Sequence, residues 1–160
     1  MDFSMIKRLQ MPKLDLRNIE WPRFDFSGSQ WPKMTKLRIG DAVAKLPIIQ
    51  GGMGVGISLS GLASAVANEG GIGVIAANSI GMLDPEYYAK NKDANSIILR
   101  KEIRKAQEKS AGLIGVNIMM AVDDCLDLIR VAIDEKIDMI FLGAGLPIKG
   151  IPVEDLRTAG

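Results

Sequence analysis

The sequence predicts an α/β fold with parallel strands, in which about four βα units form half of a (β/α)8 barrel. Short apolar runs recur along residues 37–160 without polar alternation, as expected of strands that are buried on both faces. Segments of helical period lie between these runs, and this alternation is typical of a parallel sheet covered by helices. The predicted strands start about 25 to 40 residues apart, which suits an eight-unit barrel of roughly 250 residues.

The first predicted unit is the strand Leu46–Gln50 followed by the helix Ser58–Asn68. The strand is short and apolar, so we expect it to be buried, and glycines follow it directly. Ser58 or Ser60 can cap the helix, because a serine hydroxyl accepts a hydrogen bond from a free amide of the first turn. The glycines at positions 70 and 71 then end the helix.

Three further strands and two further helices complete the predicted pattern. The strands are residues 72–77, 113–119 and 138–142, and the helices are residues 95–109 and 123–135. Small barrels are filled by side chains that point inward from every strand. We expect the inward-pointing set to include Ile48, Val74, Val116 and Ile140.

Residues 1–36 differ in composition from the rest of the chain and are predicted to form an extended tail. Proline, a cation and apolar residues recur at a spacing of ten, at residues 11–16, 21–26 and 31–34. A proline every ten residues excludes a continuous helix. Two interpretations stay open. The tail either packs its aromatic side chains on its own domain, or it docks a partner through repeated weak motifs that raise avidity.

The charge and cysteine content narrow the choice of partners and compartment. The net charge of +1 gives no argument for binding to nucleic acid or to an anionic membrane, although residues 1–40 hold eight Lys/Arg against four Asp/Glu. The single cysteine, Cys125, excludes an intrachain disulfide and favours a reducing compartment, so we predict a cytoplasmic location. Residues 46–68 carry no charge, but five glycines and a proline interrupt them, which argues against a membrane span.

Glycines and one asparagine lie where a ligand would bind in such a fold. Ligands of parallel α/β sheets bind at the carboxyl ends of the strands. Glycine lets the backbone approach a planar ligand closely, and an asparagine amide offers both donors and an acceptor. The candidate ligand-binding residues of these two types are Gly51, Gly52, Asn117, Gly143 and Gly145. Tight turning explains the glycines equally well from the residues alone.

The order of several motifs resembles the opening of the nitronate monooxygenase (2-nitropropane dioxygenase) family. The motifs are Pro47–Met53, Leu62–Ile75, Gly115–Ile118 and Gly143–Gly145, and the similarity covers about residues 37–150. The resemblance implies a TIM-type barrel that binds FMN. By matching position, it places Gly51, Gly52 and Met53 against the flavin ring and gives Asn117 a hydrogen bond to it. Gly143 to Gly145 would border the same pocket.

The same resemblance implies functional groups that this chain does not contain. The family takes a proton from its substrate with a histidine in the second half of the barrel, and it holds the FMN phosphate with groups of the last strands. This sequence has no histidine and ends at Gly160. We therefore expect the amino-terminal half of the barrel, with no catalytic residue and no metal site. Asp123, Asp124 and Asp127 are interpreted as helix-start and solvent-facing charges, and Cys125 as a small apolar filler.

The implied function is that of an FMN-dependent oxidoreductase that oxidises nitronates or nitroalkanes with O2, present here without its catalytic half. One alternative is NAD(P)H-dependent reduction by an enoyl-acyl-carrier-protein reductase, a sister group with the same opening. The other is a non-catalytic scaffold that docks partners through its tail. The expected partners are a small-molecule substrate, once a second half is present, and either a second copy or a complementing chain that closes the barrel.

Overall fold

The computed structural model describes residues 34–145 and 150–159. The predicted tail, residues 1–36, lies outside this part of the chain except for its last three residues, so both interpretations of its repeat stay predictions.

The described chain opens with a hairpin that the predicted strand–helix alternation does not include. Strand β1 (Leu37–Ile39) pairs antiparallel with β2 (Ala42–Ala44), and Gly40 and Asp41 form the turn. Gly40 has a φ of 57°, in the left-handed region that favours glycine. Leu37 and Ala44 pack with Val74 of the central sheet in a small second core. A Gly-Asp pair between two short apolar runs is a hairpin signal, so the sequence did contain evidence for this element.

A three-stranded parallel sheet forms the centre of the fold. Its strands are β3 (Gly73–Ala76), β4 (Ile114–Met119) and β5 (Met139–Gly143), in the spatial order β3-β4-β5. The predicted strands at 72–77, 113–119 and 138–142 are confirmed to within one residue at each end.

The predicted first strand, Leu46–Gln50, is wrong in its burial and in its extent. The segment runs parallel to β3 and forms one isolated bridge, Ile49 to Ile72. Ile48 and Ile49 are 47% and 43% exposed. Within the described residues no strand pairs on the far side of this segment, so it is an edge, and an edge leaves its side chains partly in solvent.

Helices cover one face of the sheet. The three predicted helices are confirmed as α1 (Ser60–Asn68), α3 (Ala94–Lys109) and α4 (Cys125–Asp134). Three short elements were not predicted, namely a 3-10 turn (Ile80–Leu83), α2 (Pro85–Lys90) and α5 (Val153–Ala159).

The sheet register corrects the predicted inward-pointing set. Ile75, Val116 and Ile140 lie in one row across the sheet, and all three pack with the helices in the main core. Val116 and Ile140 therefore do not face the barrel interior. The adjacent row, which includes Val74 and Gly115, lies on the opposite face. A shift of one residue in a strand exchanges its two faces, and apolar strands give no alternation from which the face can be predicted.

Candidate functional site

Two of the predicted ligand-binding residues meet at the carboxyl ends of the strands. A Cβ atom at Gly52 would lie 2.5 Å from Cβ of Asn117 and 2.8 Å from its Oδ1, so no larger residue fits without displacing Asn117. Asn117 lies on β4, and its Nδ2 donates to the carbonyl of Phe141 at 3.1 Å. One amide hydrogen and the Oδ1 lone pairs of Asn117 have no other partner among the described hydrogen bonds.

The other four predicted residues surround this contact at different distances. A Cβ atom at Gly143 would lie 3.9 Å from Nδ2 of Asn117, so this glycine borders the same amide. Gly51 and Met53 lie beside Gly52 on the exposed glycine loop, defined here as residues 51–57, and Met53 is 46% exposed. Gly145 abuts the residue that follows β4, because a Cβ atom there would meet Cβ of Met120 at 3.1 Å.

Two side chains that sequence analysis did not assign to the site hold the base of the glycine loop. The hydroxyl of Ser58 accepts from Nε2 of Gln50 at 3.0 Å and from the amide of Met53 at 2.9 Å. It also donates to the carbonyl of Gly51 at 3.2 Å. The only signals in the sequence were an uncharged polar residue at the end of an apolar run and a serine among glycines.

Ser58 and Ser60 do not cap α1 with their side chains, which corrects the prediction. The N-cap residue is Leu59, and the amide of Ser60 donates to Oε2 of Glu102 at 3.0 Å. Glu102 lies on α3 and is only 6% exposed. A carboxylate at the amino end of a helix also interacts favourably with the helix dipole. A buried acid of a distant helix therefore fixes the helix that follows the glycine loop.

The pKa of Glu102 lies below its ordinary value. Burial raises the pKa, but hydrogen bonds from Lys105 and Ser60 favour the carboxylate and together outweigh that effect. Nζ of Lys105 lies 2.7 Å from Oε1 of Glu102. Glu102 is thus kept charged as a structural group, and its oxygens are already used by partners within the fold.

Asn78 is a second asparagine at the carboxyl ends of the strands. It follows β3, and its Oδ1 accepts from the amide of Met119 at 2.7 Å. Its Nδ2 is buried and has no hydrogen-bond partner among the described residues. A buried donor without a partner costs about 1–3 kcal/mol, so such groups often serve a ligand. The sequence signal, an asparagine after an apolar strand, was the same as for Asn117.

Asp124 and Asp127, two of the acidic residues near α4, have partners that suit structural roles. Oδ2 of Asp124 accepts from Nδ2 of Asn95 at 2.6 Å, and Asp127 forms an exposed ion pair with Arg130 at 2.9 Å. Cys125 packs against the main core.

In residues 34–145 and 150–159, no group of three or more acidic, cysteine or histidine side chains is arranged to hold a metal ion. None of the helices in these two ranges is long and apolar enough to cross a membrane.

Comparison with known proteins identifies the family. The family model described as Nitronate monooxygenase matches residues 36–144. Two solved structures of FabK from Thermotoga maritima are similar: a point mutant has a TM-score of 0.59 at 30% identity, and a second structure has 0.56 at 32%. Both comparisons cover 73% of this chain but only 34% and 32% of FabK. No curated protein matches.

These matches confirm the resemblance found in the sequence. The family match covers most of the chain, and the chain spans about a third of the length of FabK, so the parallel sheet with its helices corresponds to part of a barrel. The chain belongs to the nitronate monooxygenase family and has the fold of a partial TIM-type barrel.

Proposed function

We propose that this chain forms the ring-binding side of an FMN site in a flavin-dependent oxidoreductase of the nitronate monooxygenase type. The contact between Gly52 and Asn117 carries the proposal. In this contact, backbone without a side chain lies beside the side-chain amide of Asn117 at the carboxyl end of the sheet. Gly51, Gly52 and Met53 would lie against the ring, Asn117 would hydrogen-bond its polar edge, and Gly143 and Gly145 would border the pocket.

The residues present fit the ring part of a flavin. The ring has a mixed donor and acceptor edge, and the asparagines offer both kinds of group. Asn117 keeps acceptor capacity at Oδ1, and Asn78 has a buried amide hydrogen donor without a partner. The exposed Met53 adds an apolar surface of the kind that packs against an aromatic ring.

When bound, FMN supplies the redox chemistry, in which electrons from the substrate reach O2. The residues of this chain bind and orient that group, and we assign none of them to proton transfer. The sequence contains no histidine, and Asp124 and Asp127 near α4 have the structural partners described above. We further propose a nitronate or nitroalkane as substrate, and a cytoplasmic location, which the free Cys125 supports.

The similarity to FabK favours a second candidate function on the same scaffold. On this similarity, the alternative chemistry is the NAD(P)H-dependent reduction of an enoyl thioester. Once a second half completes the barrel, the two are separated by measuring O2 consumption with a nitronate and NAD(P)H oxidation with an enoyl thioester, each with FMN present.

We expect the 160-residue chain to bind FMN specifically but weakly. Phosphate contacts supply much of the affinity for a phosphorylated ligand, and the proposed residues contact only the ring. An FMN titration followed by NMR should shift the resonances of Gly52, Asn117 and Gly143. Gly52→Ala should abolish these shifts, because the added methyl would occupy the position of Asn117. Gly61→Ala is the matched control, since within the described part of the chain a Cβ atom there has 4 Å of open space beyond its chain neighbours and the backbone of its own helix.

Two results would contradict the proposal. A submicromolar dissociation constant would show that strong contacts exist beyond the ring side. Resonance shifts that persist in Gly52→Ala would place the flavin elsewhere.

A further inference from the structure

We propose that Ser58 and Gln50 are positioning residues that hold the glycine loop where it meets Asn117. The inference rests on the proposed function, because it assigns the geometry of the flavin site to two side chains outside the ring-binding set.

The glycine loop connects two segments that are both hydrogen-bonded to the same side of β3 and the residue before it. The amide of Ile72 donates to the carbonyl of Ile48 at 2.9 Å, and the amide of Ala76 donates to the carbonyl of Ser58 at 3.0 Å. Between them, the amide of Val74 donates to the side chain of Gln50 at 3.2 Å. The chain therefore leaves β3 at Gln50 and returns to it at Ser58, with seven residues between.

Where the loop leaves β3, the side-chain amide of Gln50 makes the hydrogen bonds to Val74 that a neighbouring strand would otherwise make with its backbone. Its Oε1 accepts from the amide of Val74, and its Nε2 donates to the carbonyl of the same residue at 3.0 Å. Val74 is 1% exposed, so both of its backbone groups would be buried without a partner if Gln50 were apolar. Because of Gln50, the loop leaves the sheet while both backbone groups of Val74 stay hydrogen-bonded.

Ser58 closes the base of the loop. It is fully buried, and its hydroxyl makes three hydrogen bonds: it accepts from Gln50 and Met53 and donates to Gly51. Its own amide donates to the carbonyl of Met53 at 2.9 Å. One donor and two acceptor sites are the full capacity of a hydroxyl group, so all of it is used.

The position of Gly52 follows from these bonds. Gly51 and Met53, the neighbours of Gly52, are both bonded to the Ser58 hydroxyl, and Gly52 is the residue that abuts Asn117. A glycine-rich segment is otherwise costly to order when a ligand binds. Holding Gly51 and Met53 before the ligand arrives removes part of that cost.

Ser58→Ala tests the inference, with Ser64→Ala as the matched control. Ser64 is also buried, but among residues 34–145 and 150–159 its hydroxyl bonds only to the carbonyl of Gly61 within α1. In Ser58→Ala we expect amide hydrogen exchange at Met53 to be about tenfold faster without flavin, and FMN binding to weaken by about the same factor. Ser64→Ala should change neither quantity.

Gln50→Glu is the second variant, so the outcome does not depend on the folding of one protein. The introduced carboxylate still accepts from Val74 but donates neither to its carbonyl nor to Ser58, and it should also speed exchange at Met53. Unchanged exchange in folded Ser58→Ala, or faster exchange with unchanged FMN affinity, would overturn the inference. If the resonances of the wild-type chain do not shift when FMN is added, the proposed function is refuted instead. The rate of amide hydrogen exchange at Met53 in Ser58→Ala would still decide whether Ser58 holds the loop.

Discussion

Single residues differ in how readily the sequence reveals them. Asn117 stands out because a polar side chain interrupts an apolar strand, and Asn78 carried the same signal at the end of β3. Gln50 could not be assigned in this way, because its partner Val74 lies 24 positions along the chain. Which side chains bond across that separation is decided by the register of two neighbouring segments, and no local pattern records it.

At this scale we predict that Glu102 makes stability depend on acid pH. Its folded-state pKa is lowered, so its contribution is fully present above the unfolded pKa and is lost as pH falls through the folded value. Glu102→Gln should lower the free energy of unfolding by about 1–2 kcal/mol at pH 7. The difference from wild type should begin to shrink near pH 4, where free carboxyl groups titrate, and should vanish once pH has fallen through the lowered folded-state pKa of Glu102.

Urea unfolding between pH 7 and pH 3 measures this difference. Glu108→Gln is the control, since Glu108 is an exposed acid on the same helix. A Glu102→Gln deficit that stays constant down to pH 3 would contradict the assigned role.

At the scale of elements, helices α3 and α4 are joined by a cluster of charges. Glu135 follows α4, and its carboxylate binds Arg104 of α3 through two hydrogen bonds of 2.7 and 2.8 Å. Arg100 bonds to the same carboxylate and to Asp134. The hydrogen bond from Arg104 lowers the pKa of Glu135, burial opposes the shift, and Arg100 adds to it. The charged face of α3 is thus partly used for packing against the end of α4.

We expect Glu135→Gln to destabilise the fold by about 1–3 kcal/mol, because two arginines lose a mostly buried carboxylate. Asp127→Asn is the matched control, since that ion pair is 62% and 67% exposed and such pairs contribute little. Thermal unfolding at pH 7 distinguishes the two variants. Equal melting temperatures for both would mean that the cluster does not join the helices.

Some short elements were not predicted although the sequence contains a local signal for them, because they are too short for a repeating pattern of apolar residues to support that signal. Asp84 is the N-cap residue of helix α2, and its side chain accepts from the amide of Tyr87 at 3.0 Å, while Pro85 is the first residue of the helix. Asp followed by Pro is a helix-start signal. With only six residues, the helix is too short for an apolar stripe to confirm it.

At the scale of the whole molecule, the described sheet has two open edges. On one side, an apolar groove runs along the edge segment and α1, lined by Leu46, Ile48 and Val66. On the other, a second groove follows β5, α4 and α5, lined by Ile133, Ile137, Ile140 and Leu156. A closed barrel has no edges, because its last strand pairs with its first.

We therefore expect the 160-residue chain to self-associate or to bind a complementing chain through these edges. Sedimentation at low micromolar concentration should show species larger than a monomer. Ile48→Lys should shift them toward the monomer, because a lysine on the edge opposes strand pairing. Ile97→Lys is the matched control, since Ile97 has the same 47% exposure but lies on α3. A stable, sharply melting wild-type monomer would refute this expectation.

The sequence by itself determined the α/β class, the three parallel strands, their helices and the family. These features depend on apolar periodicity and on local motifs, which are properties of neighbouring residues. Only the tertiary structure decided which face of each strand is inward, because strands that are apolar throughout lack alternation. It also decided that Leu46–Gln50 is an exposed edge, that Glu102 caps α1, and that Ser58 and Gln50 hold the glycine loop. Each of these depends on groups that are distant in sequence and are brought within hydrogen-bond reach only when the chain folds.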